Sequence, residues 1–447
     1  MPVQRSPARM QYVILGNGVA GMEAALLLRG RDAAARIAIV SDEHDHFFSR
    51  PALMYVFAGQ MTLRDTEPYD RELYGRMRFD RVRGRVVKLD SDDRALVLQD
   101  GSRVGYDRLL LAVGSSGRPA PWPGSDGPGL HHFVTLADLE GLDRDARPGQ
   151  RAVVVGGGLI GVEVAEILHD RGLEVAFVIK DRWPFPVALE PREAALVAEH
   201  ARAHGVDVRL GAGVSEIVRG PDGRVCAVAL DQGPAPGDAP GPALPADLVV
   251  AAIGVVPRTG FLAGSAVALA ANGGIETDDA LRTSAPDVWA AGDCANVTTP
   301  EGARRIEQLW YTAREQGRVA GRSLLGDPVV YRRSAAFNSA KFFDLEWTTA
   351  GLVPAEISPS GEPVALPDGV SCWFQRVPGR LASHRVVMRH GRVIGFNLLG
   401  SRWDHEPLLR WIDERRPLDW VLEHLGEAQF DEELEPRFRV HAAGARS

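Results

Sequence analysis

The chain has 447 residues, more than one ordinary domain holds, and length alone suggests about three domains. A net charge of −8 excludes the concentrated basic face that a nucleic-acid partner needs, and no run of ~18 uninterrupted apolar residues offers a membrane-spanning helix. Cys226, Cys294 and Cys372 are odd in number and widely spaced. They provide neither a disulfide framework nor a metal-ligand pattern, and they suit a reducing cytoplasm. The polar Met1–Met10 lead lacks the apolar core of a secretory signal, so a cytoplasmic location is expected.

In chain order, the short apolar run Gln11–Leu15 predicts a strand. The turn Gly16-Asn17-Gly18-Val19-Ala20-Gly21 follows, Met22–Arg29 begins a helix, and Arg36–Val40 predicts a second strand. The alternating segments Arg85–Asp90 and Ala95–Gln99 predict a small β-meander. It ends in the buried-looking strand Arg108–Val113, capped by Gly114. The proline-rich run Arg118–Pro123 reads as a crossover into a second domain. There the first order recurs: strand Arg151–Val155, turn Gly156-Gly157-Gly158-Leu159-Ile160-Gly161, helix Val162–Arg171 and strand Glu174–Ile179. An exit strand, Leu248–Ile253, ends at Gly254, and the Gly-, Pro- and Ala-rich insert Gln232–Pro245 before it reads as an exposed hairpin loop. Beyond about Leu325 the texture changes. Trp347, Trp373, Trp403, Trp411 and Trp420 all fall in this tail, where the period-2 strands Arg385–Met388 and Arg392–Asn397 precede helical segments.

The expected fold class is α/β, with two Rossmann-like three-layer dinucleotide-binding domains and a C-terminal α+β domain. Residues 1–118 and 253–326 are expected to make the first domain, 119–252 the second, and 327–447 an interface or dimerisation domain.

A Gly-x-Gly-x-x-Gly turn between a strand and a helix lets backbone approach a pyrophosphate, which then meets free N–H groups and the favourable end of the helix dipole. One match is a weak signal, because glycine-rich turns also serve plain strand-to-helix packing. Two in the same context, at Gly16 and Gly156, are specific. They assign Gly16, Gly18, Val19, Ala20 and Gly21 to one dinucleotide, and Gly156, Gly158, Leu159, Ile160 and Gly161 to another. After the second strand, Asp42 is the carboxylate expected to accept hydrogen bonds from an adenosine ribose, with Glu43 as the fallback.

Together with Phe48–Leu53, Leu109–Ser115, Ala252–Pro257 and Val288–Asp293, these turns resemble the FAD-dependent pyridine nucleotide-disulfide oxidoreductase superfamily. Within it the chain is most similar to the group of ferredoxin reductases, rubredoxin reductases, the nitrite reductase flavin domain and apoptosis-inducing factor. The resemblance covers about residues 10–325. It implies that FAD lies extended on the first unit, with Arg50 facing the pyrophosphate and Asp293 bonding the ribityl or pyrophosphate region. The segment around Trp310 would run beside the isoalloxazine. Val86, Ala112, Gly114, Gly254 and Gly292 are further cofactor-binding positions, and NAD(P)H would occupy the second unit.

Departures from the family pattern narrow the chemistry. Disulfide reductases of the superfamily carry cysteine soon after the first unit, whereas no cysteine here precedes Cys226. Flavin electrons therefore have no protein disulfide to reduce, and the acceptor must be external, with a ferredoxin-like electron-transfer protein expected. An NAD(P)H oxidase or quinone reductase, and a nicotinamide-sensing flavoprotein acting through assembly, are the rival readings. Relatives continue Arg-Pro-Pro-Leu-Ser-Lys, with the lysine near the flavin and paired to a glutamate. Glu163 matches that glutamate, but Tyr55 holds the lysine position. Ile179 stands where NAD-preferring relatives carry glutamate, and Lys180 and Arg182 follow it. That pattern leans to NADPH, although Asp181 could serve a ribose hydroxyl instead. The C-terminal domain is expected to cover the flavin, dock a partner subunit or form a homodimer. Trp347 and Trp403 are weighed for such a surface against the core role that most tryptophans take.

Overall fold

This computed structural model describes residues 10–231, 243–299, 302–358, 361–430 and 438–440. The insert expected as a hairpin loop lies mostly outside them, and its end, Leu244–Pro245, pairs antiparallel with Val225–Leu230. The described chain folds as two compact units. The first takes Met1–Gly117, Val134–Leu139 and Val255–Arg333, and the second takes Arg118–Phe133, Glu140–Gly254 and Ser334–Ser447.

The first unit is built on a parallel five-stranded sheet ordered Val288–Ala290, Arg108–Leu111, Gln11–Leu15, Arg36–Ser41, Phe79–Arg83. Its inner strands read as near-continuous apolar runs because helices and loops cover both faces, so Val13, Ile14, Ile37, Leu109 and Leu110 all lose their solvent, while the edge strand Phe79–Arg83 is largely exposed. The helix Val19–Arg31 starts directly at the first glycine turn, three residues earlier than the sequence signal suggested. A late helix, Trp310–Leu324, packs on it through small residues, and a Cβ on Gly317 would lie only 2.4 Å from the Ala20 carbonyl oxygen. The expected meander forms as Val86–Asp90, Ala95–Leu98 and Arg103–Gly105. The two-stranded pair Ser115–Gly117 and Val255–Pro257 closes this unit where the chain leaves it and returns.

The second unit repeats the plan with a parallel sheet ordered Asp207–Leu210, Glu174–Ile179, Arg151–Val155, Leu248–Ala251, Leu130–His131. It also contains the C-terminal segment, whose five antiparallel strands run in the order Phe337–Phe342, Leu345–Gly351, Arg392–Leu399, Ser383–Arg389, Val370–Arg376. The helices His405–Asp413 and Leu418–His424 follow these strands. Trp373, Trp403 and Trp411 fill one core there with Val386 and Phe396, and Trp347 is equally buried. Trp347 and Trp403 are thus core residues and supply no docking surface. Both bury more apolar area inside than any other side-chain type could, which is why they sit there.

Candidate functional site: two dinucleotide cradles

In each unit the glycine turn follows the central strand of a parallel sheet, at the carboxyl edge where open α/β sheets receive ligands. The three glycines of a turn meet different surroundings. A Cβ on Gly16 would lie 2.0 Å from the Ala112 carbonyl oxygen, and one on Gly21 would lie 2.1 Å from that of Gly16. The corresponding approaches at Gly156 and Gly161 are 2.3 Å to the Ala252 oxygen and 1.9 Å to the Gly156 oxygen. The outer glycines are therefore closed by the fold itself. The middle ones, Gly18 and Gly158, have nothing within 4 Å of such a Cβ, so their surface is open to a ligand.

The helices behind the turns complete the anion site. Gly18 and Gly158 are the N-caps of Val19–Arg31 and Leu159–Asp170, neither helix has a side-chain cap, and neither has an acid in its first turn. The leading N–H groups contributed by Val19, Ala20 and Gly21, and by Leu159, Ile160 and Gly161, thus have no side-chain acceptor. An uncapped helix start beside an open glycine fits a pyrophosphate. On these grounds each cradle fits the pyrophosphate of a dinucleotide such as FAD or NAD(P)H.

Around the first cradle the two acids are held differently. Both Glu43 oxygens are engaged by Arg50, at 2.9 and 2.6 Å, and Oε1 also accepts the Leu136 N–H at 2.9 Å. Burial opposes the ionised form of Glu43, but Arg50 outweighs it and holds the carboxyl below its ordinary range. Asp42 receives Arg258 on Oδ2 at 2.7 Å, and its Oδ1 has no hydrogen-bond partner among the described residues. Asp42 therefore keeps a free acceptor for a ribose, whereas Glu43 is committed. Arg50 spends its donors on Glu43 and on the Val134 carbonyl at 2.7 Å, so its charge is held in place by neighbours.

Asp293 is half-buried and accepts a 3.2 Å hydrogen bond from the Ser115 hydroxyl. Burial raises its pKa against the pull of Ser115 and Arg50. The preceding Gly292 turns at φ 80°, and its N–H donates to the buried Gln316 at 2.7 Å. Gly114, at φ 65°, faces open space. Val86 packs on the same core from the meander, and the half-buried Trp310 stacks on Phe47 with centroids 5.6 Å apart. Tyr55 is half-buried on the short helix Leu53–Phe57 of this unit.

In the second unit Glu163 lies one turn into the helix that begins at the cradle. Its carboxyl is desolvated and stands near Glu166, and the two effects push it up to about 8. Glu166 is bound by Lys341 at 2.8 Å and by the Phe343 N–H at 2.8 Å. Ile179 is fully buried, and its Cγ2 would lie 2.6 Å from a Cβ on Gly157. Lys180 and Arg182 are exposed just past that strand. The loop they start folds back on the cradle, where Phe185, at φ 50°, donates its N–H to the Gly157 oxygen at 2.5 Å. Gly254, at φ 97°, accepts the Arg118 N–H at 3.0 Å.

Arg258 and Gln316 went unrecognised in the sequence, and Ser115 was read only as the end of the motif Leu109–Ser115, with no role of its own. Arg258 adjoins the recognised motif Ala252–Pro257, so adjacency was a usable signal. Gln316 is a mid-helix glutamine and carried none.

The chain matches the pyridine nucleotide-disulphide oxidoreductase family over residues 10–317. It is 33% identical over 351 residues to the 5,5'-dehydrodivanillate O-demethylase ferredoxin reductase subunit of Sphingobium sp. (strain NBRC 103272 / SYK-6), covering 77% of this chain and 82% of that one. Rhodocoxin reductase of Rhodococcus erythropolis is 32% identical, with 74% and 76% covered. Among solved structures, the ferredoxin reductase for the CYP199A2 system from Rhodopseudomonas palustris superposes with a TM-score of 0.75 at 26% identity, covering 87% of this chain and 91% of that one.

Proposed function

The chain belongs to the pyridine nucleotide-disulphide oxidoreductase family, and from that premise we propose that it is an FAD-dependent NAD(P)H oxidoreductase serving an external ferredoxin-like carrier. When bound, FAD takes a hydride from NAD(P)H and returns its two electrons singly. The observation that carries this reading is the pair of open, uncapped glycine cradles at Gly18 and Gly158.

The chain's own residues bind and orient. Helix starts at Val19 and Leu159 supply N–H donors to two pyrophosphates, and Asp42 offers Oδ1 to a ribose while Arg258 fixes its other oxygen. Asp293, steadied by Ser115, stands ready as an acceptor or neutral donor toward the flavin chain.

An external acceptor follows from the cysteines. Cys294 adjoins Asp293, but it is fully buried and burial pushes its thiol up to about 12, so no thiolate is available there. Ferredoxin as the class of carrier is supported by the names of the relatives. For the nucleotide we favour NADPH, since the exposed Lys180 and Arg182 follow a buried Ile179 where an acid would select a free 2′-hydroxyl. A cytoplasmic location accompanies this reading and suits three cysteines that form no disulfide among the described residues. No helix among the described residues is long and apolar enough to cross a membrane. We assign residues 327–447 to an interface role, as a homodimer or toward a partner subunit.

Anaerobic stopped-flow mixing of the FAD-loaded protein with NADPH or NADH tests this, followed by reoxidation with a [2Fe–2S] ferredoxin or with air. The expected result is fast reduction, faster with NADPH, and reoxidation quicker by ferredoxin than by oxygen. Fast aerobic turnover without a carrier would replace the proposal with an oxidase, and sluggish reduction would replace it with a sensor. Equal rates with NADH would remove the NADPH preference alone, as would an unchanged preference in Lys180→Glu.

A further inference from the structure

Among the described residues, two clusters of side chains able to ligate a metal lie outside the cradles, and their surroundings differ. In the first, His44, His46 and Glu67 come together, but Arg81 stands 3.1 Å from His46 Nε2 and Arg71 holds both Glu67 oxygens at 2.8 and 2.7 Å. Guanidinium groups already occupy the donor atoms, so a cation would have to displace them and stay beside two positive charges.

The second cluster has no such competitor. His200 and His204 are one turn apart at the end of the helix Pro191–Ala203, and Asp344 sits in the tight turn between the strands Phe337–Phe342 and Leu345–Gly351. Asp344 Oδ1 is hydrogen-bonded to His200 Nε2 and lies 3.6 Å from His204 Nε2. The two histidines hold the Asp344 carboxyl below its ordinary range against the opposing effect of burial. Asp344 is exposed, His204 half-exposed and His200 buried, so the cluster opens to solvent on one side.

The tautomer of His204 gives the decisive detail. Its Nδ1 lies 3.0 Å from the His200 carbonyl oxygen, which can only accept, so the proton resides on Nδ1. With the Nδ1 proton committed to that carbonyl, Nε2 is the ring nitrogen left to bind a cation, and it faces the Asp344 oxygen. The 3.6 Å gap is close to the ~3–3.5 Å that separates ligand atoms sharing a zinc ion with bonds of about 2.0–2.2 Å. The carbonyl on Nδ1 is also the outer-shell partner that orients a ligating imidazole.

We propose that His200, His204 and Asp344 form a binding site for a divalent transition-metal cation of the zinc type. Two imidazoles and one carboxylate suit such an ion better than magnesium or calcium, which prefer all-oxygen sets. Three protein ligands leave at least one position for water or an outside ligand. When the ion binds, His200 gives up its Nε2 proton or moves it to Nδ1, which is buried and lacks a partner among the described residues. The bound ion ties the turn of the C-terminal sheet to the helix Pro191–Ala203. That turn is already anchored on its other side, where Phe343 stacks on His204 with centroids 4.7 Å apart and donates its N–H to Glu166.

The test is calorimetric titration of zinc chloride into tag-free, FAD-loaded protein previously stripped with chelator, alongside His204→Gln and Asp344→Asn. Wild type should take up one zinc ion per chain and melt at a higher temperature with zinc present. Both variants should bind about 100-fold more weakly and show no such rise. Each changes a side chain with solvent access, and melting without zinc checks that each folds. Absence of saturable uptake by wild type, or equal uptake by wild type and both variants, overturns the site.

Discussion

Arg385 and Glu193 face each other as a bidentate ion pair, with guanidinium Nε and Nη2 at 2.9 and 3.0 Å from the two carboxylate oxygens and both side chains at most 1% exposed. Glu190 lies 3.6 Å from the same guanidinium and is held more closely by Arg192. The pair joins the helix Pro191–Ala203 to the C-terminal strand Ser383–Arg389 inside the second unit.

Arg385→Met should therefore destabilise the second unit by about 3–5 kcal/mol, since it strands the Glu193 carboxylate out of water. Burial already raises the pKa of Glu193, with Arg385 opposing the rise, so loss of the arginine should leave that acid protonated. Adding Glu193→Gln should recover part of the loss, as a coupled pair requires. Denaturant melts of the two single variants and the double variant check this, and simple additivity would contradict it.

The open glycines separate binding from folding. Gly18→Leu should leave a folded protein that no longer retains FAD, because the added side chain enters only the ligand's space. Gly158→Leu should keep its FAD and raise the KM for NADPH by about tenfold or more. Gly16→Leu and Gly156→Leu should instead fail to fold, since each collides with backbone. Flavin absorbance per chain and steady-state kinetics distinguish the three outcomes.

Glu163 makes stability depend on pH. Its folded value, about 8, lies above the ordinary 4.5, so the folded state holds the proton more tightly. Its contribution is complete below pH 4.5 and is lost as pH rises through 8. Glu163→Gln cannot ionise, so its melting temperature relative to wild type should climb across that window and level off above it. A flat difference from acid to alkaline pH would show that Glu163 titrates normally.

We propose that Tyr55 bears on the flavin's electron affinity, from its place at the position where relatives carry lysine. A cation at this position would favour the reduced, anionic flavin by direct attraction. Tyr55→Lys should therefore raise the flavin midpoint potential, and Tyr55→Phe should shift it by removing a neutral hydrogen-bonding group. Spectroelectrochemical titration reads both, and no shift in either variant would reduce Tyr55 to packing.

What the sequence disclosed follows the range of the interactions. The strands Gln11–Leu15 and Arg151–Val155 and the turns behind them were legible because each is encoded within about a dozen neighbouring residues by apolar runs and glycine spacing. The strand limits shifted by only a few residues, as where Arg108–Val113 ends at Leu111. Long-range pairs left no local trace. Arg258 reaches Asp42 across 216 residues, and Arg385 reaches Glu193 across 192, so neither partner could be named in advance. The tryptophans of the tail were left between surface and core for a different reason, and the core reading is the one that holds. Composition locates an aromatic cluster but not which way it faces, and the antiparallel pairing that turned Trp347 and Trp403 inward is itself non-local.

The close packing of Trp310–Leu324 on Val19–Arg31 sets an order of assembly during synthesis. All five strands of the second nucleotide sheet fall between Leu130 and Ala251, so that sheet can form as soon as this stretch leaves the ribosome. The first sheet waits for Val288–Ala290, and its opening helix waits for Gly317 to seat against Ala20. The N-terminal cradle is thus the later of the two to be completed. Until then the nascent chain leaves uncovered the face of Val19–Arg31 on which Trp310–Leu324 will pack.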